Sequence, residues 1–216
     1  MARASDSPSP PRVSAPDLPP RLAPADALRG GDLLQAELEL TGTADLSHSS
    51  LEQCTLTADA DSIDLTGATL LDVDIREPRV AAFGLRTAGI RRLRIRGGRI
   101  GTLDLSGTRI DELEIHDVRI DYLTLGGAKG ADIRISHSTV RTLDLPQAEI
   151  TRMAFDDCRA DEVDPRGLRA KDVDLRRLDA ASFVDANGLR GTTLTAFQIQ
   201  QLAPTIAAGL GILIRE

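Results

Sequence analysis

Between Leu65 and Phe155 an apolar residue recurs at every fifth position. Leu65, Leu70, Ile75, Val80, Leu85, Ile90, Ile95, Ile100, Leu105, Ile110, Ile115, Ile120 and Leu125 follow one another without a break. Gly130 interrupts once, and Ile135, Val140, Leu145, Ile150 and Phe155 complete the column. Five is neither the helical period near 3.6 nor the strand period of 2. Short internal repeats of this kind read as solenoids. A five-residue unit works physically if it forms one short side of a coil, with its central side chain inward and the flanking ones outward. Four such sides close a coil of about 20 residues, and stacked coils pair main-chain N–H and C=O groups at about 4.8 Å. Leu46, Leu51 and Leu56 keep the step but sit one residue out of frame, which places a one-residue slip within residues 57–63.

The unit itself carries a family resemblance. Ala44-Asp45-Leu46-Ser47-His48 matches the A(D/N)LXX unit of pentapeptide-repeat proteins, and Ser49–Gln53 and Cys54–Ala58 follow it loosely. The chain resembles that family from about residue 33 to 194. The resemblance implies an all-β fold, a right-handed quadrilateral β-helix of about eight 20-residue coils. One departure stands out. The family prefers a small residue two places before the central one, and here alternate units comply: Ala68, Ala88, Gly98, Thr108, Ala128, Ser138, Ala148 and Cys158. The units between carry Val73, Phe83, Leu93, Leu103, Leu113, Leu123, Ile133, Leu143 and Met153, so the working repeat is ten residues, one unit bulky and one slim.

Both ends read differently. Seven of the eleven prolines fall in the first 24 residues, without an apolar period, so residues 1–30 read as a disordered proline-rich arm. Residues 31–194 read as the β-helix. In residues 195–216, Thr195 and Gln198 have capping-box spacing, and Phe197, Ile199, Leu202, Ile206 and Leu210 form a helical apolar stripe. This predicts a C-terminal capping α-helix, ended by Gly209 or Gly211, over a coil that otherwise exposes apolar surface and unpaired edges. Similar helices in some family members make dimer contacts, so the resemblance allows a homodimer through it.

Charge changes the picture next. The net charge of −7 divides into −6 over residues 1–63, zero over 64–160 and −1 over 161–216. If residues n and n+20 are neighbours, Arg91 meets Asp111, and Asp72, Arg92, Glu112, Asp132, Arg152 and Asp172 form a mostly alternating ladder. Asp74, Arg94, Glu114 and Arg134 form another, and Asp121, Arg141 and Asp161 a third. Most surface charge then reads as solvated ion-pair ladders, each pair contributing about tenths of a kcal/mol. Two columns do not alternate. Arg79, Arg99, Arg119 and Arg159, interrupted by Thr139, form a candidate strip for an anion or an acidic partner. Its bland counterpart is compensation by Glu77, Asp117 and Asp157. Asp64, Asp104, Asp144 and Asp164 form a carboxylate column, better explained as the polar position of the repeat than as a cation site.

No constellation points to catalysis. His48, His116 and His137 lack the three or four converging ligands of a metal site, although His116 and His137 fall on adjacent coils near Asp117 and Asp157. Cys54 and Cys158 lie about five coils apart and make no disulfide framework. Neither a GxxxxGK[ST] loop nor a GxGxxG following a strand is present. No catalytic, cofactor-binding or metal-ligating residue is therefore assigned, and no cofactor is expected. Aromatic residues make up 2% of the chain, against the stacking platforms of direct nucleic-acid binding. No segment reaches a membrane span, and the arm lacks the apolar run of a secretory signal, so a cytoplasmic location is expected. The sequence thus points to a non-enzymatic scaffold that binds a protein partner it does not name. The alternative, known in some pentapeptide-repeat relatives, is a DNA-mimicking modulator of DNA gyrase. The neutral centre counts against that mimicry and the acidic first third for it.

Overall fold

The computed structural model describes residues 7–213 and 215. Its backbone winds into a β-solenoid of about eight coils, with mostly parallel strands, followed by one α-helix, α1 (Ala196–Gly209). Each strand pairs with those one coil away. Ile100 faces Ile120 and Ile120 faces Val140, while Leu103 faces Leu123 and Leu123 faces Leu143, so the register is twenty residues. Leu105 N–H donates to the carbonyl of Thr124 at 2.9 Å, one rung along. The first coils are shorter: Leu38 faces Leu56, and Leu56 faces Ile75. The register shifts between Gly42 and Thr43 and again between Thr57 and Asp59, the second shift lying inside the window the sequence marked.

The core is a stack of the inward columns. Central residues such as Leu65, Ile75, Ile100 and Leu105 are fully buried, and so are bulky residues two places earlier, Val73, Leu103 and Leu123 among them. The slim positions fall at tight corners. Ala68, Ala88, Ala128 and Ala148 each donate their N–H to the carbonyl three residues back. The residue just before each has positive φ: Gly67, Thr87, Gly127 and Gln147. A left-handed third residue is what a type II turn demands, which is why glycine recurs there. Gly130, the gap in the apolar column, is filled by its neighbours: a β-carbon there would meet Ile133 Cδ1 at 2.9 Å and Ile150 Cδ1 at 3.1 Å.

The C-terminal helix forms where the capping signal stands. Thr195 Oγ1 accepts from Gln198 N–H, and the Gln198 side chain accepts from Thr195 N–H, the complete capping box. The same Gln198 amide donates to the carbonyls of Leu175 and Leu178, tying the helix to the last coil. Gly211 ends the helix, with φ +73°; its N–H bonds Ala208 O and that of Ile212 bonds Ala207 O, a Schellman closure. Of the predicted stripe, Leu202 is buried and Ile206 packs partly on the core, whereas Phe197, Ile199 and Leu210 stay exposed.

The structure differs from the sequence reading in the arm. Residues 7–30 follow a defined path along the solenoid and end in a tight turn in which Gly31 N–H donates to the carbonyl of Leu28, whereas a disordered arm was expected over 1–30; residues 1–6 lie outside the described residues. Ala23–Pro24 pairs in parallel with Ala36–Glu37, and Pro11 is buried. The arm is held by its main chain, described below, so it needs no apolar period.

Candidate interaction surface

The outward residue that opens one side of each coil builds the arginine strip. Arg79 faces Arg99, Arg99 faces Arg119, Arg119 faces Thr139 and Thr139 faces Arg159. Asp59 precedes Arg79 in the column and Asp179 follows Arg159. All four arginines are exposed. Arg99 Nη2 reaches Asp121 Oδ2 at 2.9 Å. Arg79, Arg119 and Arg159 form no ion pair among the described residues, so Glu77, Asp117 and Asp157 do not pair with them directly. Beside the strip lies an open concavity of about 510 Å³ with Glu77, Gly98, Gly101 and Asp121 at its walls. A β-carbon on Gly101 would stand 2.5 Å from the carbonyl of Ala81, so close stacking of the coils requires glycine and leaves bare main chain as the floor. A second concavity, of about 350 Å³, continues past Arg119 to Arg141 and Asp161.

The carboxylate column has a structural task. Asp64 Oδ1 accepts from Thr66 N–H, Asp104 from Ser106 N–H and Asp164 from Arg166 N–H, at 2.9, 2.9 and 3.1 Å. Each aspartate thus caps the tight corner that follows it, the Asx-type bond that recommends Asp before turns. Asp144 is the exception, because the residue two places on is Pro146 and has no N–H. Its carboxylate accepts instead from Tyr122 Oη at 2.6 Å and from Thr124 Oγ1 at 3.3 Å. The bond to Asp144 pushes the Tyr122 hydroxyl up to about 12.

His116 and His137 stack edge to face with centroids 5.3 Å apart, each using Nδ1 on the next coil, toward Ser136 Oγ and Asp157 Oδ2. Among the described residues no group of three or more His, Cys, Asp or Glu is placed to hold a metal ion. Cys54 and Cys158 are buried free thiols, and burial pushes both above the usual range. No described helix is long and apolar enough to cross a membrane.

The charge ladders follow the predicted register in part. Arg92 pairs with Asp72 at 3.0 Å, Arg152 with Asp132 at 2.6 Å and Arg94 with Glu114 at 2.7 Å. Asp74 binds Arg76 and Arg96 rather than Arg94, Asp121 binds Arg99 rather than Arg141, and Arg91 makes no ion pair with Asp111 among the described residues. Diagonal neighbours and residues two apart on one face compete with the straight rung, because long guanidinium stems reach both.

Sequence reasoning missed the partner of the first ladder. The backbone N–H groups of Ser9, Arg12, Ser14 and Asp17 donate to Asp172, Asp132, Glu112 and Asp72 at 3.2, 2.8, 2.9 and 2.8 Å. The arm therefore climbs the corner formed by that ladder, from the last coils toward the first. A main-chain donor exists at every residue except proline, so side-chain pattern carried no signal for it.

No protein-family model and no curated protein sequence matches the chain. Among solved structures, it is similar to HetL, a pentapeptide repeat protein involved in heterocyst differentiation regulation from the cyanobacterium Nostoc sp. strain PCC 7120. The two share 15% identity over 76% of this chain and 87% of that one, with a TM-score of 0.23.

Proposed function

We propose that this pentapeptide-repeat solenoid is a non-enzymatic scaffold that binds an acidic protein segment along the Arg79–Arg99–Arg119–Arg159 strip. The observation that carries this reading is the stack of exposed guanidinium groups, three of them without an ion-pair partner among the described residues, beside a glycine-floored groove. Stacked like charges repel, and an anionic partner relieves that repulsion while arginine's planar fork receives carboxylates two at a time. A 20-residue polyglutamate peptide, labelled and followed by fluorescence anisotropy, tests it. Binding should weaken with salt and fall at least tenfold in Arg99→Glu/Arg119→Glu. Equal binding by that variant removes the strip from the account.

A second reading, a DNA-mimicking modulator of DNA gyrase, draws on the first coils, where Glu37, Glu39, Glu52, Asp59 and Asp61 are all exposed. A supercoiling assay with purified gyrase separates the two, since only this reading expects a change in activity at micromolar protein. Homodimerisation through α1 belongs to the same proposal. Phe197 of α1 and Leu210, Ile212 and Leu213 just after its end are 66%, 69%, 56% and 78% exposed, a large apolar surface for so short a segment. Sedimentation should show a dimer that Phe197→Ser/Leu213→Ser converts to monomer.

A further inference from the structure

The corner column Asp72–Arg92–Glu112–Asp132–Arg152–Asp172 bonds the arm with a regular geometry. Ser9 to Asp17 is eight residues, and Asp172 to Asp72 is five coils. Eight residues of a polyproline II chain rise about 25 Å, and five coils rise about 24 Å. The two repeats therefore stay in step over the whole contact, eight arm residues to five coils, taken as steps of three, two and three residues for two, one and two coils. The donors stand at positions 9, 12, 14 and 17, the prolines at 10, 11 and 16 fall between them, and Pro8 precedes the first. Every corner carboxylate thus meets a residue that has an N–H. The Ser14 hydroxyl adds a bond to Glu112 at 2.8 Å. In return the corner side donates to arm carbonyls, Arg134 to Pro11 at 3.2 Å and Gln53 to Asp17 at 3.0 Å. Asp72 and Asp132 are 7% and 8% exposed in this setting, each also holding an arginine of the ladder.

We propose that this corner is a peptide-recognition site for an extended proline-rich segment with main-chain N–H groups at relative positions 0, 3, 5 and 8. Its occupant is the arm, held in cis and exchangeable with the arm of a second copy. The arm sequence is the ligand seen to fit. The contact is built from hydrogen bonds to charged groups rather than from a large apolar face, so it closes and opens without unfolding the core. Specificity comes from where proline is absent. This site is separate from the arginine strip and does not depend on it.

The test uses the full chain with Arg12→Pro/Ser14→Pro. Proline suits an extended arm but removes two of the four donors. A labelled synthetic peptide of residues 7–20 should bind this variant at least tenfold more tightly than it binds the unaltered chain, whose own arm competes. The same peptide carrying proline at positions 12 and 14 should not bind. Adding Glu112→Ala/Asp172→Ala, neither of which removes the Arg92–Asp72 or Arg152–Asp132 pair, should lower binding at least tenfold. The single variant Ser14→Pro provides the same readout if the double variant folds poorly, with circular dichroism confirming the β-signal. Failure of the peptide to bind the arm variant, or equal binding by the proline-substituted peptide, overturns the proposal. Arm exchange is read separately, by energy transfer between arm-labelled and body-labelled copies mixed at micromolar concentration. No transfer overturns the second copy as occupant.

Discussion

Tyr122 is the single tyrosine of a chain without tryptophan, so its titration is read directly in the near ultraviolet. Its hydroxyl donates to an Asp144 carboxylate that Pro146 has left without the usual corner amide. The phenol should therefore ionise near pH 12 rather than near 10, and Asp144→Asn should bring the midpoint back down. The bond contributes fully below the unfolded-chain value of about 10 and is lost as pH rises through the folded value. A midpoint near 10 in the unaltered chain would break this account. Gly130 supports an equally local prediction. Restoring the apolar column with Gly130→Leu should destabilise, by about 1–3 kcal/mol, because the Ile133 and Ile150 side chains already occupy the space. Urea unfolding measures it, and stabilisation by the substitution would refute the packing argument.

At the scale of the element, corners and caps divide the work. The sequence showed the sides of the coil plainly, since an inward side chain every five residues leaves its mark on residue type. It showed the α1 start for the same reason: Thr195 and Gln198 act through their side chains. The arm was illegible because it binds through main-chain N–H groups, and its prolines read as disorder when they are spacers between donors. The arginine column was legible as a column, but the reach of Arg99 to Asp121 was not, because straight stacking ignores diagonals. Removing the N-cap tests the element's own stability. Thr195→Ala should cost about 1 kcal/mol. Gln198→Ala should cost at least as much, because it also removes the side-chain bonds to the Leu175 and Leu178 carbonyls at the end of the solenoid. Hydrogen exchange at the last coil distinguishes them: Gln198→Ala should speed exchange there and Thr195→Ala should mostly loosen the helix.

At the scale of the whole molecule, a solenoid has contacts only between adjacent coils, so its stability is close to a sum of rung-to-rung terms. Acid attacks many rungs together. Arg152 holds the Asp132 carboxyl below its usual range, with the Arg12 amide of the arm adding to it. Arg166, Arg176 and Arg99 do the same for Asp164, Asp174 and Asp121, and the Ser47 hydroxyl does so for Asp45. Each such carboxyl favours the fold fully above the unfolded-chain value of about 3.9 and loses that contribution as pH falls through its lowered folded value. The thermal midpoint followed by circular dichroism should accordingly owe no slope to these groups between pH 5 and 8, then drop steeply below about pH 4. The arm should respond first. The Asp132 carboxylate that accepts from the Arg12 amide loses its charge as pH falls through its lowered folded value, whereas the core beneath is held by apolar burial that does not depend on that charge. Protection of residues 9–17 from cleavage by an acid-active protease should thus disappear at a higher pH than the β-signal does. Simultaneous loss of arm protection and β-signal would mean that the arm is part of the cooperative fold rather than a ligand laid upon it.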